Sequence, residues 1–362
     1  MDSPVFTPIL IMNSILFAIT VILIIAERLL VFYGECSITI NKEKILAVEG
    51  GDTLLNYFAA NKIFIPSACG GKATCGYCKI EVLSGGGHIL PTEEIFIGRK
   101  ERQSGIRLAC QVKVRNDIEV LISEDLLNAR EYKATIYAME DLTHDIKRVA
   151  IKLDEPSRIE FKPGQYVQFK VPGTDEFRAY SIASAPSSAN LIELLVRFVP
   201  GGLCSGYIHE VLDTNDKINI TGPFGDFYLR EDSDRGIICI AGGCGMAPIR
   251  SILLHLKEKG MPRRLTYFFG ARKKADLFYT EELFALSRQF PNFRYVPALS
   301  EPDPQDNWTG ETGLITHAVE KFIEPGAYAE AYLCGPPPMI DAAVKVLGNK
   351  GIAEIFIYYD KF

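Results

Sequence analysis

The sequence lacks an excess of basic residues. Its 39 lysines and arginines are outnumbered by 45 aspartates and glutamates, which gives a formal net charge of −6 at pH 7. Proteins that bind nucleic acid neutralise phosphates with a basic patch or stripe. We therefore expect no nucleic-acid partner.

The composition also lacks the marks of a disordered chain. Hydrophobic residues make up 48% of the sequence and charged residues 23%, which is typical of globular domains. A chain of 362 residues is long enough for two or three domains, each with its own core.

No charged residue occurs between Val5 and Ala26. As a helix this run would be about 33 Å long, which matches a bilayer core of roughly 30 Å. It lacks the basic start and the small-residue cleavage site of a secretory signal peptide. The sequence predicts an uncleaved transmembrane helix at 5–26. The cations Arg28, Lys42 and Lys44 follow it, which favours a cytoplasmic location for the rest of the chain.

Four of the nine cysteines form a candidate metal site. Cys69, Cys75 and Cys78 lie within ten residues, spaced C-x5-C-x2-C on a glycine-rich segment, and Cys110 follows in Leu-Ala-Cys-Gln. Four thiolates can enclose a metal centre. The spacing favours a [2Fe–2S] cluster, with a zinc knuckle or unconnected thiols as alternatives. The other five cysteines are scattered, and most are expected to be small buried side chains.

The residues around these cysteines predict a compact α+β unit at 34–126. Residues 36–48 alternate polar and apolar around Asn41, which predicts a β-hairpin. A helix capped by Asp52 or Thr53 and a strand at 79–83 flank the cysteine loop. This segment resembles a ferredoxin of the β-grasp fold, although its spacing is one residue longer than the plant-type C-x4-C-x2-C. The resemblance implies four ligands of a [2Fe–2S] cluster: Cys69, Cys75, Cys78 and Cys110.

Short strands without helices follow and predict a small antiparallel β-barrel at 128–232. Arg178, Tyr180 and Ser181 form an R-x-Y-S stretch on one predicted strand, which by itself could be ordinary strand surface. Gly202 belongs to a glycine turn that opens a predicted helix, and Ser205 follows it. Such a turn presents free amides suited to phosphate, although a plain loop-to-helix junction would have the same sequence.

The segment 233–362 alternates strands and helices, which predicts a doubly wound α/β domain. An apolar strand at 237–241 leads into a glycine turn at 242–248, and a second apolar strand ends at Cys334. Ligands of such sheets bind at the carboxyl ends of the strands. The candidate nucleotide-binding residues in these two loops are Gly242, Gly243, Gly245, Met246, Pro248, Gly335 and Pro336.

Residues 128–362 resemble the ferredoxin–NADP reductase superfamily in five motifs that occur in the family's order: R-x-Y-S, G-x-x-S, 222–225, 242–248 and 334–337. The resemblance implies FAD, with Tyr180 stacked on the flavin ring and Ser181 bonded to flavin N5. It implies that Arg178 and Ser205 hold the FAD phosphates, within a motif that includes Gly202 and Cys204, and that Cys334 lies near the nicotinamide.

Over essentially its whole length the chain resembles the family of F subunits of the sodium-translocating NADH:quinone reductases. Stretches at 270–272, 277–282, 298–300 and 306–310 carry this resemblance. It implies that Phe362 shields the flavin until nicotinamide displaces it. One departure is the short segment between Arg178 and Ser205, where that family usually has an insertion.

The resemblance implies an NADH-oxidising subunit at the cytoplasmic face of the inner membrane, in a complex with other membrane subunits. Hydride would pass from NADH to FAD, and single electrons to the cluster and to a membrane acceptor. Ser181, Cys334 and Phe362 are the expected catalytic residues. NADH is favoured over NADPH because the sequence shows no convincing cluster of arginines to bind a 2′-phosphate. The basic stretch at 272–274 leaves NADPH as an alternative. The alternatives are a membrane-tethered NADH reductase that supplies an oxygenase or another metalloenzyme, and a non-enzymatic metal protein.

Overall fold

The computed structural model describes residues 6–30, 33–174 and 176–362, with the side chains of the first helix described over 8–25. The chain divides into two compact units, Met1–Leu127 and Asn128–Phe362. Each unit has a hydrophobic core of its own and is described by itself.

The first helix, α1, spans Phe6–Leu30. Its segment Pro8–Ile25 is long and apolar enough to cross a membrane, and none of this segment is buried within the protein. The hydroxyls of Ser14 and Thr20 donate to the carbonyls of Leu10 and Leu16, so neither polar group needs water. The helix covers the predicted span 5–26 from Phe6 onward and continues four residues further.

A five-stranded sheet forms the first unit, in the order β2-β1-β5-β3-β4. The strands are β1 Glu35–Ile40, β2 Lys44–Glu49, β3 Lys79–Ser84, β4 Ile106–Leu108 and β5 Ile118–Leu121. β1 runs parallel to β5, and the other pairs are antiparallel. The hairpin predicted around Asn41 is confirmed: three residues connect Ile40 to its partner Lys44, and Asn41 and Lys42 among them take the positive φ of a tight turn.

Four helices accompany this sheet: α2 Leu54–Ala60, α3 Pro91–Glu94, α4 Arg99–Gln103 and α5 Glu124–Leu127. The Thr53 side chain caps α2 by accepting from the Asn56 amide, and Leu54 and Phe58 of α2 are fully buried. The pairing of β3 with β4 also places Cys78 beside Ala109, whose amide donates to the Cys78 carbonyl at 2.8 Å. The fold thus brings the distant Cys110 next to the cysteine loop.

Six antiparallel strands form the barrel of the second unit, in the order β10-β7-β6-β11-β8-β9. They are β6 Arg130–Asp141, β7 Ile146–Glu155, β8 Tyr166–Lys170, β9 Phe177–Ser181, β10 Leu191–Arg197 and β11 Lys217–Phe224. An isolated antiparallel bridge between Ile182 and Leu194 closes the sheet. The helix predicted after Gly202 is the short α6, Leu203–Gly206, followed by a π-helical turn over Tyr207–Val211.

The rest of the second unit is a six-stranded parallel sheet in the order β15-β14-β13-β12-β16-β17. Its strands are β12 Gly236–Gly242, β13 Leu265–Ala271, β14 Phe293–Leu299, β15 Glu311–Thr312, β16 Ala329–Gly335 and β17 Ile357–Lys361. Its helices are α7 Met246–Glu258, α8 Thr280–Gln289, α9 Ile315–Phe322 and α10 Pro337–Asn349.

The chain leaves the central strand β12 toward β13 and later returns on the other side of β12 as β16. The order therefore reverses between β12 and β16. Loops that diverge at such a switch point open a ligand crevice at the carboxyl ends of the strands. The predicted fold class, an apolar N-terminal helix with a ferredoxin unit, a barrel and a doubly wound domain, is confirmed.

Candidate functional site

The four cysteines of the predicted metal site lie together in two pairs. The Cys75 thiol donates to the Cys69 sulfur at 3.4 Å, and the Cys78 thiol is hydrogen-bonded to Cys110. Within the described residues, no set of three or more His, Cys, Asp or Glu side chains is arranged around one metal ion. Two pairs suit two iron atoms, with two thiolates each, better than the single tetrahedral ion of a zinc knuckle.

Each pair contains one thiol that is easier to ionise than its partner. Burial opposes ionisation of Cys69, but hydrogen bonds from Thr74 and Cys75 outweigh it and lower the pKa of Cys69 to about 6. The bond from Cys78 lowers the pKa of Cys110 to about 7. The same bond, together with burial, raises the pKa of Cys78. Thiolates are the species that ligate metals, so one thiol of each pair, Cys69 or Cys110, is predisposed to the ligating form.

The cysteine loop depends on a close approach at Gly76. Gly76 has φ +70, and a methyl group on it would lie 2.5 Å from the Phe96 ring. Phe96 follows α3, so through this contact the 75–78 turn packs against the helical segment that precedes Cys110 in the chain. Only glycine satisfies both the backbone angle and the space.

A buried ion pair holds the strand that leads to Cys110. The Arg107 guanidinium donates to Glu93 at 2.7 Å, with the Glu93 side chain fully buried and that of Arg107 nearly so. Glu93 also accepts from the Leu108 amide, two residues before Cys110. No spacing rule connects positions 93 and 107, so this pair could not be predicted from the sequence.

In the barrel, the predicted flavin residues cluster at the end of β9 and the start of α6. Tyr180 is hydrogen-bonded to Cys204, and burial raises the pKa of both groups. Within the described residues no side chain or backbone group bonds the hydroxyl of Ser181, which is half-buried at the end of β9. This hydroxyl is available to a ligand.

Arg178 lies on the same strand with its guanidinium about two-fifths exposed. It donates to the Glu176 carboxylate at 2.8 Å and to the Phe177 carbonyl at 2.8 Å. A phosphate that bound here would have to share this cation with Glu176.

A buried side chain stabilises the turn before α6. The Ser205 hydroxyl is buried and accepts from the Val199 amide at 3.1 Å, so it stabilises the turn. A methyl group on Gly202 would lie 2.6 Å from this hydroxyl. The amides at the start of a helix have no partner inside it. These amides, rather than the Ser205 side chain, are the groups that the turn can offer to a phosphate.

A cavity of about 490 Å³ lies at the switch point of the parallel sheet. Its size is in the range of small-molecule and cofactor sites. Of the predicted nucleotide-binding residues, Gly242, Gly243 and Pro336 line it. Barrel residues that no sequence motif indicated line the same wall: Thr143, His144, Asp145, Ile146 and Arg197.

The glycines of the 242–248 turn allow three close approaches. A methyl group on Gly245 would lie 1.9 Å from the Cys334 carbonyl oxygen. One on Gly243 would lie 2.4 Å from the Arg197 guanidinium, and one on Gly242 would lie 3.2 Å from the Met339 sulfur. The turn is therefore packed tightly between the end of β16 and a cation from the barrel.

Two predicted residues of this turn face the core instead of the cavity. Met246 is fully buried, and its sulfur accepts from the Tyr267 hydroxyl at 3.0 Å. Pro248 is also buried, in the first turn of α7. Their contribution to a nucleotide can come only from the backbone at the start of α7.

Cys334, Asp360 and Phe362 meet at the carboxyl ends of β16 and β17. Cys334 pairs with Asp360 across the two strands and is almost fully buried, which raises the pKa of its thiol. Burial also raises the pKa of Asp360, to about 6. The Phe362 ring is 54% exposed, and its amide approaches the Gly335 carbonyl at 3.4 Å. No sequence motif indicated Asp360.

Three family comparisons match this architecture in chain order. The 2Fe-2S iron-sulfur cluster binding domain matches residues 38–115. The oxidoreductase FAD-binding domain matches residues 133–228, and the oxidoreductase NAD-binding domain matches residues 239–345.

Relatives match over nearly the whole chain. The chain is 35% identical over 393 aligned positions to the F subunit of the Na(+)-translocating NADH-quinone reductase of Neisseria gonorrhoeae, covering 96% of both chains. It is 35% identical to the F subunit of the corresponding reductase of Actinobacillus pleuropneumoniae over 100% of both chains. The phenol hydroxylase P5 protein of Acinetobacter pittii is 38% identical over 325 positions, covering 88% of this chain and 91% of that protein.

Solved structures show the same fold. The Amycolatopsis cytochrome P450 reductase matches with a TM-score of 0.75 at 32% identity, covering 90% of this chain and 98% of that one. The ferredoxin reductase of carbazole 1,9a-dioxygenase matches with a TM-score of 0.67 at 25% identity, covering 91% and 98%.

Proposed function

Because this chain belongs to the family of F subunits of the Na(+)-translocating NADH-quinone reductases, we propose that it is the electron-input subunit of a membrane-bound respiratory complex. It is an NADH-oxidising oxidoreductase with FAD and a [2Fe–2S] cluster as cofactors. The observation that carries the proposal is a match over nearly the full length of the relatives, α1 included. The acceptor and the partner subunits are part of the proposal.

The cluster would be held by the two thiol pairs, Cys69 with Cys75 and Cys78 with Cys110, whose arrangement fits two iron atoms. FAD would lie along the end of β9 and the turn before α6. NADH would enter the cavity at the switch point, with its pyrophosphate at the 242–248 turn. When bound, the nicotinamide supplies a hydride, the flavin accepts it as an electron pair, and the cluster carries single electrons.

The protein's own residues supply placement. The Tyr180 ring would form one face of the flavin site, and the Ser181 hydroxyl would donate to the flavin edge. Cys334 would form the floor of the nicotinamide site beneath the tight contact at Gly245. The exposed Phe362 ring would cover the flavin and leave when nicotinamide arrives. Such positioning is the main contribution of a protein to cofactor chemistry.

NADH is favoured over NADPH by charge. Arg272 lines the cavity, but the carboxylate of Asp276 lines it too. An Asp276 carboxylate oxygen lies 3.8 Å from Nδ1 of His144, a barrel residue that also lines the cavity. A carboxylate here would repel the 2′-phosphate of NADPH. A free ribose hydroxyl could instead donate to it.

The location is also proposed. Helix α1 would cross the inner membrane once, and both folded units would lie in the cytoplasm, as the cations that follow the helix favour. The domain bounds that go with this function are 5–26 for the membrane helix, 34–126 for the ferredoxin, 128–232 for the flavin domain and 233–362 for the NADH domain.

The decisive experiment has two parts. An anaerobic NADH titration of the purified protein, followed by visible absorbance and EPR, should bleach one flavin and produce one reduced [2Fe–2S] signal. Membranes from the native host with this gene deleted should then lose NADH-driven quinone reduction and regain it on complementation. Normal bleaching of the purified protein, together with unchanged quinone reduction in the deletion strain, would overturn the respiratory role.

One other function has a specific observation in its favour. The alignment with the Neisseria gonorrhoeae relative spans 393 positions, more than the 362 residues of this chain, so that relative has residues that this chain lacks. The phenol hydroxylase P5 protein matches at higher identity over 325 positions. We therefore keep a membrane-tethered NADH reductase of an oxygenase as the second candidate. Reduction of a co-encoded oxygenase, with quinone reduction unaffected by deletion, would select it.

A further inference from the structure

The barrel and the parallel sheet of the second unit are joined by ion pairs centred on Glu193. Glu193 lies on barrel strand β10, and its two carboxylate oxygens accept from different arginines. Arg250 of α7 donates at 2.6 Å, and Arg148 of barrel strand β7 donates at 2.5 Å. Of these two bonds, only the one from Arg250 crosses from the sheet domain to the barrel.

This network is largely withdrawn from water. The side chains of Arg250 and Glu193 are 15% and 17% exposed. Burial opposes ionisation of Glu193, but the neighbouring Arg250 and Arg148 outweigh it and lower its pKa. The pair is therefore ionised, and partly buried charges are screened little by salt.

Arg250 makes two further contacts that fix its direction. It donates to the Ala183 carbonyl at 3.0 Å, and its guanidinium packs 4.7 Å from the ring centre of Tyr279. Tyr279 precedes α8 with a left-handed φ of 56, three residues after Asp276 of the cavity wall. The guanidinium of this α7 residue thus contacts both the barrel and the residue that precedes α8 in the nucleotide-binding layer.

A second bond runs parallel to the first. The Ser251 hydroxyl, which is fully buried, donates to the Ser184 carbonyl at 2.7 Å. Two consecutive residues of α7 therefore bond the carbonyls of two consecutive barrel residues, Ala183 and Ser184. Two adjacent bonds restrict rotation as well as separation of the two layers.

The two ends of this contact lie close to the proposed reaction site. Ala183 comes two residues after Ser181, and Arg250 comes five residues after Gly245. The contact is thus the short connection between the predicted flavin edge and the predicted nicotinamide turn. A displacement of about 1 Å between two reacting groups can cost about a hundredfold in rate.

We propose that Arg250 and Ser251 are positioning residues that clamp α7 to the barrel segment 183–184 and thereby set the distance between nicotinamide and flavin. Neither touches the reacting atoms. This inference rests on the proposed binding positions of FAD and NADH, and it predicts a specific loss in the hydride step.

The test uses the holoprotein in rapid mixing with NADH. In Arg250→Gln, the limiting rate of flavin bleaching should fall about 10- to 100-fold, while the apparent Kd for NADH changes less than about threefold. The deuterium isotope effect with 4-deuterated NADH should rise, because hydride transfer becomes more fully rate-limiting. Arg250→Lys should recover part of the rate, since an ammonium keeps a positive charge beside Glu193 but lacks the planar guanidinium that packs over the Tyr279 ring.

The matched control is Arg148→Gln, which removes a bond to the same carboxylate but lies wholly within the barrel. It should leave the limiting rate within about threefold of the original. Ser251→Ala tests the second bond and should slow the limiting rate about three- to tenfold.

A cofactor-free measurement separates positioning from general damage. In the protein stripped of FAD, hydrogen exchange of the peptides covering 181–187 and 246–252 should accelerate about fivefold or more in Arg250→Gln but not in Arg148→Gln. Equal limiting rates in Arg250→Gln and the original protein would overturn the proposal. So would an unchanged exchange pattern, or a loss confined to NADH affinity. If the original protein itself were not bleached by NADH, the proposed function would fail instead.

Discussion

Gly245 offers the sharpest test of the nucleotide site. Its backbone angles, φ −58 and ψ −13, are ones that alanine adopts freely, so Gly245→Ala introduces no backbone strain. The added methyl carbon would lie 1.9 Å from the Cys334 carbonyl oxygen and 2.5 Å from its carbon, and folded proteins essentially never show such contacts under 3.0 Å. Both clashing atoms belong to the backbone of β16, which cannot rotate away.

The loop and the strand must therefore separate by about 1 Å. Overpacking of this kind costs about 1–3 kcal/mol of stability. A shift of about 1 Å at a reaction site can cost about a hundredfold in rate, or about 2.7 kcal/mol of activation free energy. We expect Gly245→Ala to retain FAD and cluster but to be bleached by NADH about a hundredfold more slowly.

The assay is anaerobic rapid mixing with NADH, with thermal unfolding measured on the same samples. Gly348→Ala is the matched control, because Gly348 lies on α10 with no atom near its missing methyl group. It should leave bleaching unchanged and add about 0.5–1 kcal/mol of stability, since alanine is the better helix former. Bleaching by Gly245→Ala at the original rate, with an unchanged midpoint of unfolding, would refute the steric reasoning.

Three further predictions concern other parts of the chain. Cys75→Ala should lose the [2Fe–2S] EPR signal and electron delivery beyond the flavin, while NADH still bleaches the flavin; normal rates with a cluster-dependent acceptor would contradict the ligand assignment. Because burial raises the pKa of the half-buried Asp360 from 3.8 to about 6, the folded state binds this proton more tightly, so stability should fall as pH rises from about 4 to 6 and stay lower above. Asp360→Asn should abolish that decline, worth at most about 3 kcal/mol, in urea unfolding at pH 4, 5, 6 and 7. Arg263→Met should cost about 3–5 kcal/mol because it strands the buried Glu330, whereas Lys217→Met, which removes an exposed ion pair, should cost less than about 1 kcal/mol in the same experiment.

Local sequence patterns predicted the parts of this protein whose structure depends on neighbouring residues. The hairpin around Asn41, the cysteine loop and the buried strand before Gly242 each have a short signature in spacing or turn chemistry. The order of the domains followed from the order of such signatures.

Features set by residues far apart in the chain were missed. Nothing in the spacing of the cysteines indicates that Cys78 pairs with Cys110 through the β3–β4 ladder, or that Glu93 reaches Arg107. The motif at 242–248 predicted the right turn, but only packing shows that the Met246 side chain faces Tyr267 in the core. Asp360 was missed because its place beside Cys334 depends on the pairing of the short strand β17 with β16.

The pairing of β3 with β4 also sets an order of events in biosynthesis. The thiols of 69–78 emerge from the ribosome well before Cys110, and the ladder from Lys79 to Leu108 must form before all four sulfurs meet. The first unit has its own core and ends at Leu127, so it can fold before the second unit has been translated. Iron–sulfur assembly proteins would then find a complete set of ligands on a nascent chain. The metal centre could be installed while the flavoprotein half is still being made.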